Sequence, residues 1–262
     1  MARNIVWTTA TAAAFALATL AGPAPAAAQD TQTEHVTQTV AVAPGGTLRL
    51  KSFSGKVTIT AADRQDVAID AVRRATRDRL DRVKLDIHAE GSTLVVDANH
   101  RDSDGWMNWF GRRDQVVDTE FDIKVPRHFN LDVVVFSSPV VVNGVDGESH
   151  VRTFSAPIQL DNVNGPVEAK TFSGAVSIQT RAWQDRQSID VNTFSGDVQL
   201  KVPDSASATV EFNSFSGRLS AGMPLTFNEV NRRNMTARLG GESATAGTMH
   251  LKTFSGNVRI DK

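Results

Sequence analysis

The chain contains no cysteine. That excludes disulfides, thiolate metal sites, a cysteine nucleophile and a lipid-modified cysteine anchor. It also has almost no net charge, −1 over 262 residues, so it carries no polybasic footprint for nucleic acid. After the first two dozen residues no stretch approaches the ~20 apolar residues of a membrane-spanning helix. Hydrophobic residues at 40% and charged residues at 22% then place the chain among folded globular proteins rather than disordered ones.

What is present begins with a targeting segment. Arg3 forms a short positive region, Ile5 to Leu20 are apolar or small, and Gly22, Pro23 and Pro25 break the run. Ala26, Ala27 and Ala28 supply the small residues a signal peptidase accepts, which predicts cleavage before Gln29. Residues 1–28 are thus expected to be a signal peptide, 29–35 a polar leader, and 36–262 the folded domain. The expected location is the periplasm or cell surface, with no transmembrane span in the mature chain.

From Val36 onward the dominant period is two. Val57-Thr58-Ile59-Thr60 and Phe121-Asp122-Ile123-Lys124-Val125 are examples. Such short alternations read as strands with one buried face. Pro44-Gly45-Gly46, Asn143-Gly144 and Asn164-Gly165-Pro166 punctuate them as turns. Arg73 to Arg82 is the best helix candidate. Asp78 and Asp81 interleave with its arginines and favour a solvated face over an anion site.

One phrase recurs: KSFSGKVTI at 51–59, KTFSGAVSI at 170–178, NTFSGDVQL at 192–200, NSFSGRLSA at 213–221 and KTFSGNVRI at 252–260. Weaker copies are VFSSPVVVN at 135–143 and RTFSAPIQL at 152–160. Phe136, Phe154 and Phe172 are 18 apart, and Phe194, Phe215 and Phe254 follow after 22, 21 and 39. Such repetition marks a stacked repeat architecture. The expected fold is all-β, a right-handed β-solenoid of 18- to 22-residue rungs with an irregular N-terminal β part. A strict two-residue period puts Phe172 on the same face as Glu168 and Lys170. A column of exposed phenylalanines is an aggregation liability. The expectation is therefore that a bend at Phe-Ser-Gly turns Phe136, Phe154, Phe172, Phe194, Phe215 and Phe254 inward as one column; Phe53 is counted as a further copy of the repeat. Serine would satisfy a backbone group there and glycine would admit the dihedral. Residues 222–247 read as a rung without the bend or as a flap over one end.

The run from Phe121 to Ile178, with its Val125-Pro126 entry, successive Asn-Gly and Asp-Gly turns and repeated Ser-Gly bends, resembles the bacterial putative-adhesin domain family of β-strand repeats. Residues 237–260 resemble its closing segment. The resemblance spans roughly residues 36–262 and implies an exported, single-domain β-solenoid. It supplies no catalytic or binding residues.

Catalysis has little to stand on. The serines of the repeat occur seven times and none sits in a G-x-S-x-G elbow. Residues 99–105 alternate ligand-type side chains, but His100 and Gly111 stand where a calcium loop needs Asp and Glu. The histidines lack metal-ligand spacing. No cofactor or metal is expected. Asp161, Asp185, Asp197 and Asp204 fall at different positions of the repeat and read as turn residues. Trp183 is the one tryptophan of the repeat half. The expected role is a non-enzymatic cell-envelope binding or structural module, its partner an unidentified envelope protein or glycan. The alternative is a carbohydrate-active β-helix lyase or hydrolase. One off-period stretch stands apart: Trp106, Trp109 and Phe110 with Arg112 and Arg113 at its rim. It is either a hydrophobic plug or an exposed interaction patch; the patch is the reading carried forward.

Overall fold

A computed structural model describes residues 30–100, 116–231, 233–241 and 243–262. The signal segment and the Trp106, Trp109, Phe110, Arg112 and Arg113 stretch lie outside the described residues.

The described chain is all-β apart from one short helix. Its first part runs β1 (Thr31–Ala41), β2 (Thr47–Ser52), β3 (Val57–Ala62), β4 (Asp66–Thr76), α1 (Arg77–Arg82), β5 (Lys84–Glu90), β6 (Thr93–His100) and β7 (Asp118–Pro126). Then come β8 (Asn130–Val135), β9 (Val140–Asn143), β10 (Ser149–Thr153), β11 (Ile158–Val163), β12 (Val167–Thr171), β13 (Val176–Thr180), β14 (Ser188–Thr193) and β15 (Val198–Lys201). The last part is β16 (Ala208–Ser214), β17 (Leu219–Ala221), β18 (Leu225–Val230), β19 (Asn234–Leu239), β20 (Gly247–Thr253) and β21 (Val258–Asp261).

These strands form two mixed sheets. The first, of ten strands, has the order β1-β4-β7-β3-β9-β11-β13-β15-β21-β17. The second, of eleven, has the order β18-β19-β16-β20-β14-β12-β10-β8-β2-β6-β5. The chain crosses between sheets at each Phe-Ser-Gly phrase: β12 lies in the second sheet and β13 in the first. Parallel neighbours pair in register, Leu131 with Ser149 and Ser149 with Val167. Each sheet turns its apolar row toward the other, and one continuous core results, from Leu48 and Leu50 to Val258 and Ile260. A second, small cluster of Ala75, Leu80, Val83 and Val117 sits under α1. The N-terminal strands belong to the same two sheets, with antiparallel β1-β4-β7 at one end.

Layer order differs from chain order at the C-terminus. The β20–β21 layer sits between β14–β15 and β16–β17. The chain leaves one layer open, builds the next, and returns to fill the gap. The return path is the β18–β19 hairpin, which extends the second sheet antiparallel beyond β16. It accounts for the 39-residue spacing before Phe254 as a flap rather than an extra layer.

Two expectations are corrected in the N-terminal part. Strand β4 runs to Thr76, so the helix is confined to Arg77–Arg82. Arg73, expected on a solvated face, is buried; it pairs with Glu34 and donates to the Val83 carbonyl. In addition β1 starts at Thr31, inside the stretch read as a polar leader. It is almost wholly exposed, so it shows no apolar period.

Candidate functional site

The phenylalanines of the repeat form one column, and it lies outside the protein. Strict alternation holds to the corner: Val167, Ala169 and Thr171 face the core, and Phe172 follows outward. The expected inward turn does not occur. Phe154, Phe172, Phe194, Phe215 and Phe254 are 44–54% exposed, and Phe53 and Phe136 are part-buried.

Three features of the corner explain this. The inner position belongs to the residue before phenylalanine. Thr153 Oγ1 donates to the Ala156 carbonyl at 2.8 Å, and Thr253 Oγ1 accepts from the Gly256 N–H at 2.7 Å. At the Phe215 corner Ser214 Oγ fills the same place and accepts from the Gly217 N–H at 2.6 Å, so at these corners the residue before phenylalanine ties down the bend. The glycines are needed for close approach between layers rather than for their dihedrals; only Gly55 among the repeat glycines has positive φ, at 94°. A Cβ on Gly196 would lie 2.0 Å from the Gly174 carbonyl oxygen, and one on Gly256 would lie 1.9 Å from that of Gly196. Finally, the serines carry the backbone ladder round the corner: Ser173 N–H donates to Phe154 O and Ser195 N–H to Phe172 O, each at 2.9 Å.

Layer spacing brings the rings face to face. The column runs Phe53, Phe136, Phe154, Phe172, Phe194, Phe254, Phe215, with centroids 4.7–5.1 Å apart and planes within 12°. Six such steps make a ridge about 29 Å long. Stacked faces cover one another, so water meets mainly ring edges. That reduces the aggregation liability that exposed phenylalanines otherwise carry. At one end the Arg233 guanidinium lies 4.6 Å over Phe215 and closes the stack. A shallow cavity of about 580 Å³ runs beside Phe194, Phe254 and Phe215, with Lys252, Asn213 and Arg233 on its walls.

Several polar and charged side chains beside the ridge pair with one another. Asp132 pairs with Arg49 at 3.3 Å and Arg152 with Glu168 at 2.9 Å; Lys170 also pairs with Glu168, and His250 with Glu211 at 3.1 Å. Partial burial pushes the Glu168 carboxyl up, but Lys170 and Arg152 outweigh it and hold it below its usual range.

The other end of the column is Phe53. Lys51 pairs with Asp97, and Val57 with Phe121, so β6 and β7 form the layer next to Phe53. Val117 N–H donates to the Asn99 side chain at 3.4 Å, and Thr119 N–H to the Ser54 carbonyl at 3.2 Å.

Among the described residues the column serines bond no histidine or carboxylate; Ser137 and Ser155 meet each other at 3.2 Å. No group of three or more histidine and acidic side chains among the described residues could hold a metal. Asp197 accepts from the Asn257 N–H and Asp204 pairs with Lys262. Trp183 is no open platform; it packs on the core and donates to the Ser207 carbonyl at 3.0 Å. No helix among the described residues is long and apolar enough to cross a membrane.

Residues 140–261 match the family described as Toastrack DUF4097. No curated protein matches the chain. Among solved structures it is similar to a putative cell adhesion protein from Clostridium sporogenes, at 12% identity over 88% of this chain and 99% of that one, with a TM-score of 0.49. It is also similar to a putative adhesin from Bacteroides fragilis, at 10% identity, 87% and 97% coverage and a TM-score of 0.32. A third, a putative lipid binding protein from Parabacteroides distasonis, has 12% identity, 87% and 97% coverage and a TM-score of 0.30.

Proposed function

From a chain whose residues 140–261 form a Toastrack domain, we propose a non-enzymatic cell-envelope binding module that presents its phenylalanine ridge to an apolar strip on another envelope protein. The observation that carries this reading is the exposed column itself. Exposed apolar patches of ~300–600 Å² on a monomer are often functional. Five half-exposed rings in contact amount to roughly 400–500 Å², taking ~200 Å² per phenylalanine.

Two details favour a protein over other partners. Sugar rings stack on aromatic faces, and here the faces are occupied by neighbouring rings. Polyanions and acidic membranes need uncompensated cations, and the arginines and lysines flanking the middle of the ridge are paired with Asp132 and Glu168. The reading further takes residues 1–28 as a cleaved signal peptide. It takes the alternation of strands between sheets as a right-handed β-solenoid; pairing offsets of 18 and 22 residues support the rung length. The reading also takes Trp106, Trp109 and Phe110, with Arg112 and Arg113 at the rim, as a further interaction patch.

The test is co-sedimentation with isolated cell envelopes. Changing Phe154, Phe172 and Phe194 together to Asn removes the middle of the ridge. Sedimentation is expected to fall at least tenfold and to be lost equally when the envelopes are first treated with protease. Binding that survives protease but is competed by envelope polysaccharide would overturn the reading in favour of a glycan.

A further inference from the structure

We propose that β1 is a homodimerisation edge, two copies pairing their β1 strands antiparallel about a two-fold axis at His35. Among the described residues the two sheets have four edge strands: β1, β17, β18 and β5. Unpaired strand edges invite association, and proteins blunt them by shortness, bulges, proline or charge. Three of these edges are blunted. Strand β17 has three residues, and β18 and β5 each carry a break in register against their neighbour. Strand β1 is eleven residues long and pairs with β4 without a break. It contains no proline, lysine or arginine.

The sequence of β1 says what fits that edge. Residues 31–39 read Thr-Gln-Thr-Glu-His-Val-Thr-Gln-Thr, the same triplet on both sides of a centre at His35. Antiparallel pairing of two copies about that centre sets Thr31 opposite Thr39, Gln32 opposite Gln38 and Thr33 opposite Thr37. Threonine–threonine cross-strand pairs are favourable, and like charges directly opposite are not. Glu34 falls opposite Val36, and it already has Arg73 as its partner. The contact is isologous, the arrangement found in most two-fold dimers. Because it lies at the end of the stack, it leaves the phenylalanine ridge uncovered in both copies.

The absence of cysteine makes the register directly measurable. In the purified protein His35→Cys is expected to oxidise to a covalent dimer, since directly opposed residues have Cβ atoms ~4.5–5.5 Å apart. Thr33→Cys alone is expected to stay uncrosslinked, but to crosslink when mixed with Thr37→Cys. His35→Lys places two ammonium groups side by side at an exposed position. It should convert the dimer to a monomer by sedimentation velocity without changing the circular dichroism spectrum. An equal mixture of His35→Lys and His35→Glu should restore it. A wild-type protein that is monomeric at tens of micromolar, or crosslinking at Thr33 alone as efficient as at His35, would overturn the proposal.

Discussion

Replacing Phe194 by alanine tests both the position of the rings and the order of the layers. Phe194 is 45% exposed and stacks on Phe172 at 4.8 Å and on Phe254 at 4.7 Å. Half-burial of a phenylalanine is worth ~1–1.5 kcal/mol, half the full value. Each stacked neighbour adds ~0.5–1.5 kcal/mol beyond area. The ring points outward, so its removal leaves no cavity, and the ~3–5 kcal/mol of an interior Phe→Ala change does not apply. The expected cost is about 2–4.5 kcal/mol in urea unfolding. The sharper reading comes from double-mutant cycles, which isolate contact between pairs. Phe194 and Phe254 are 60 residues apart in the chain yet stacked, and should couple by ~0.5–1.5 kcal/mol. Phe194 and Phe215 are adjacent copies in sequence but lie on either side of Phe254, and should couple more weakly than Phe194 and Phe254 because they touch only through the ring between them. Coupling of Phe194 to Phe215 instead of Phe254 would refute the interleaved order. A cost above ~4.5 kcal/mol for Phe194→Ala alone would refute the exposed ridge.

Gly196→Ala sets a Cβ 2.0 Å from the Gly174 carbonyl oxygen; forcing the layers apart should cost at least ~1–3 kcal/mol, read by urea unfolding. Glu168 predicts a pH effect: its carboxyl is held below the usual range when folded, so its stabilisation is present above the unfolded value and is lost as pH falls through the depressed folded one. Glu168→Gln should therefore show a smaller drop in Tm than wild type between neutral pH and pH ~3. Intact-mass analysis of the exported protein should show Gln29 as the first residue, and a retained Met1 in that fraction would mean an anchor instead.

Much of this architecture was legible in the chain. The Phe-Ser-Gly phrase marked the corners, and the two-residue period marked the faces. Phe172 was legible too: alternation from Val167 already placed it outward. The aggregation argument outweighed that signal because it treated each ring singly, whereas a layer spacing near 4.8 Å makes neighbouring rings cover each other. The glycines were legible as a position but not as a cause, since the carbonyl that demands Gly196 comes from Gly174, a layer away. Layer order was not legible. A 39-residue gap before Phe254 fits a skipped layer, a flap or both, and only parallel pairing of β20 with both β14 and β16 decides it. Strand β1 escaped notice because it buries almost nothing and so has no apolar period to read. Arg73 was misread because its partners, Glu34 and the Val83 carbonyl, come from a neighbouring strand and from beyond the helix.

Hydroxyl-radical footprinting of the purified protein, with and without isolated cell envelopes, tests the binding ridge most directly. Free protein should show strong labelling at Phe154, Phe172, Phe194, Phe215 and Phe254, and bound protein should show those positions protected as one contiguous strip. Unchanged labelling of the five rings in protein that has sedimented with the envelopes would contradict the ridge as the contact surface.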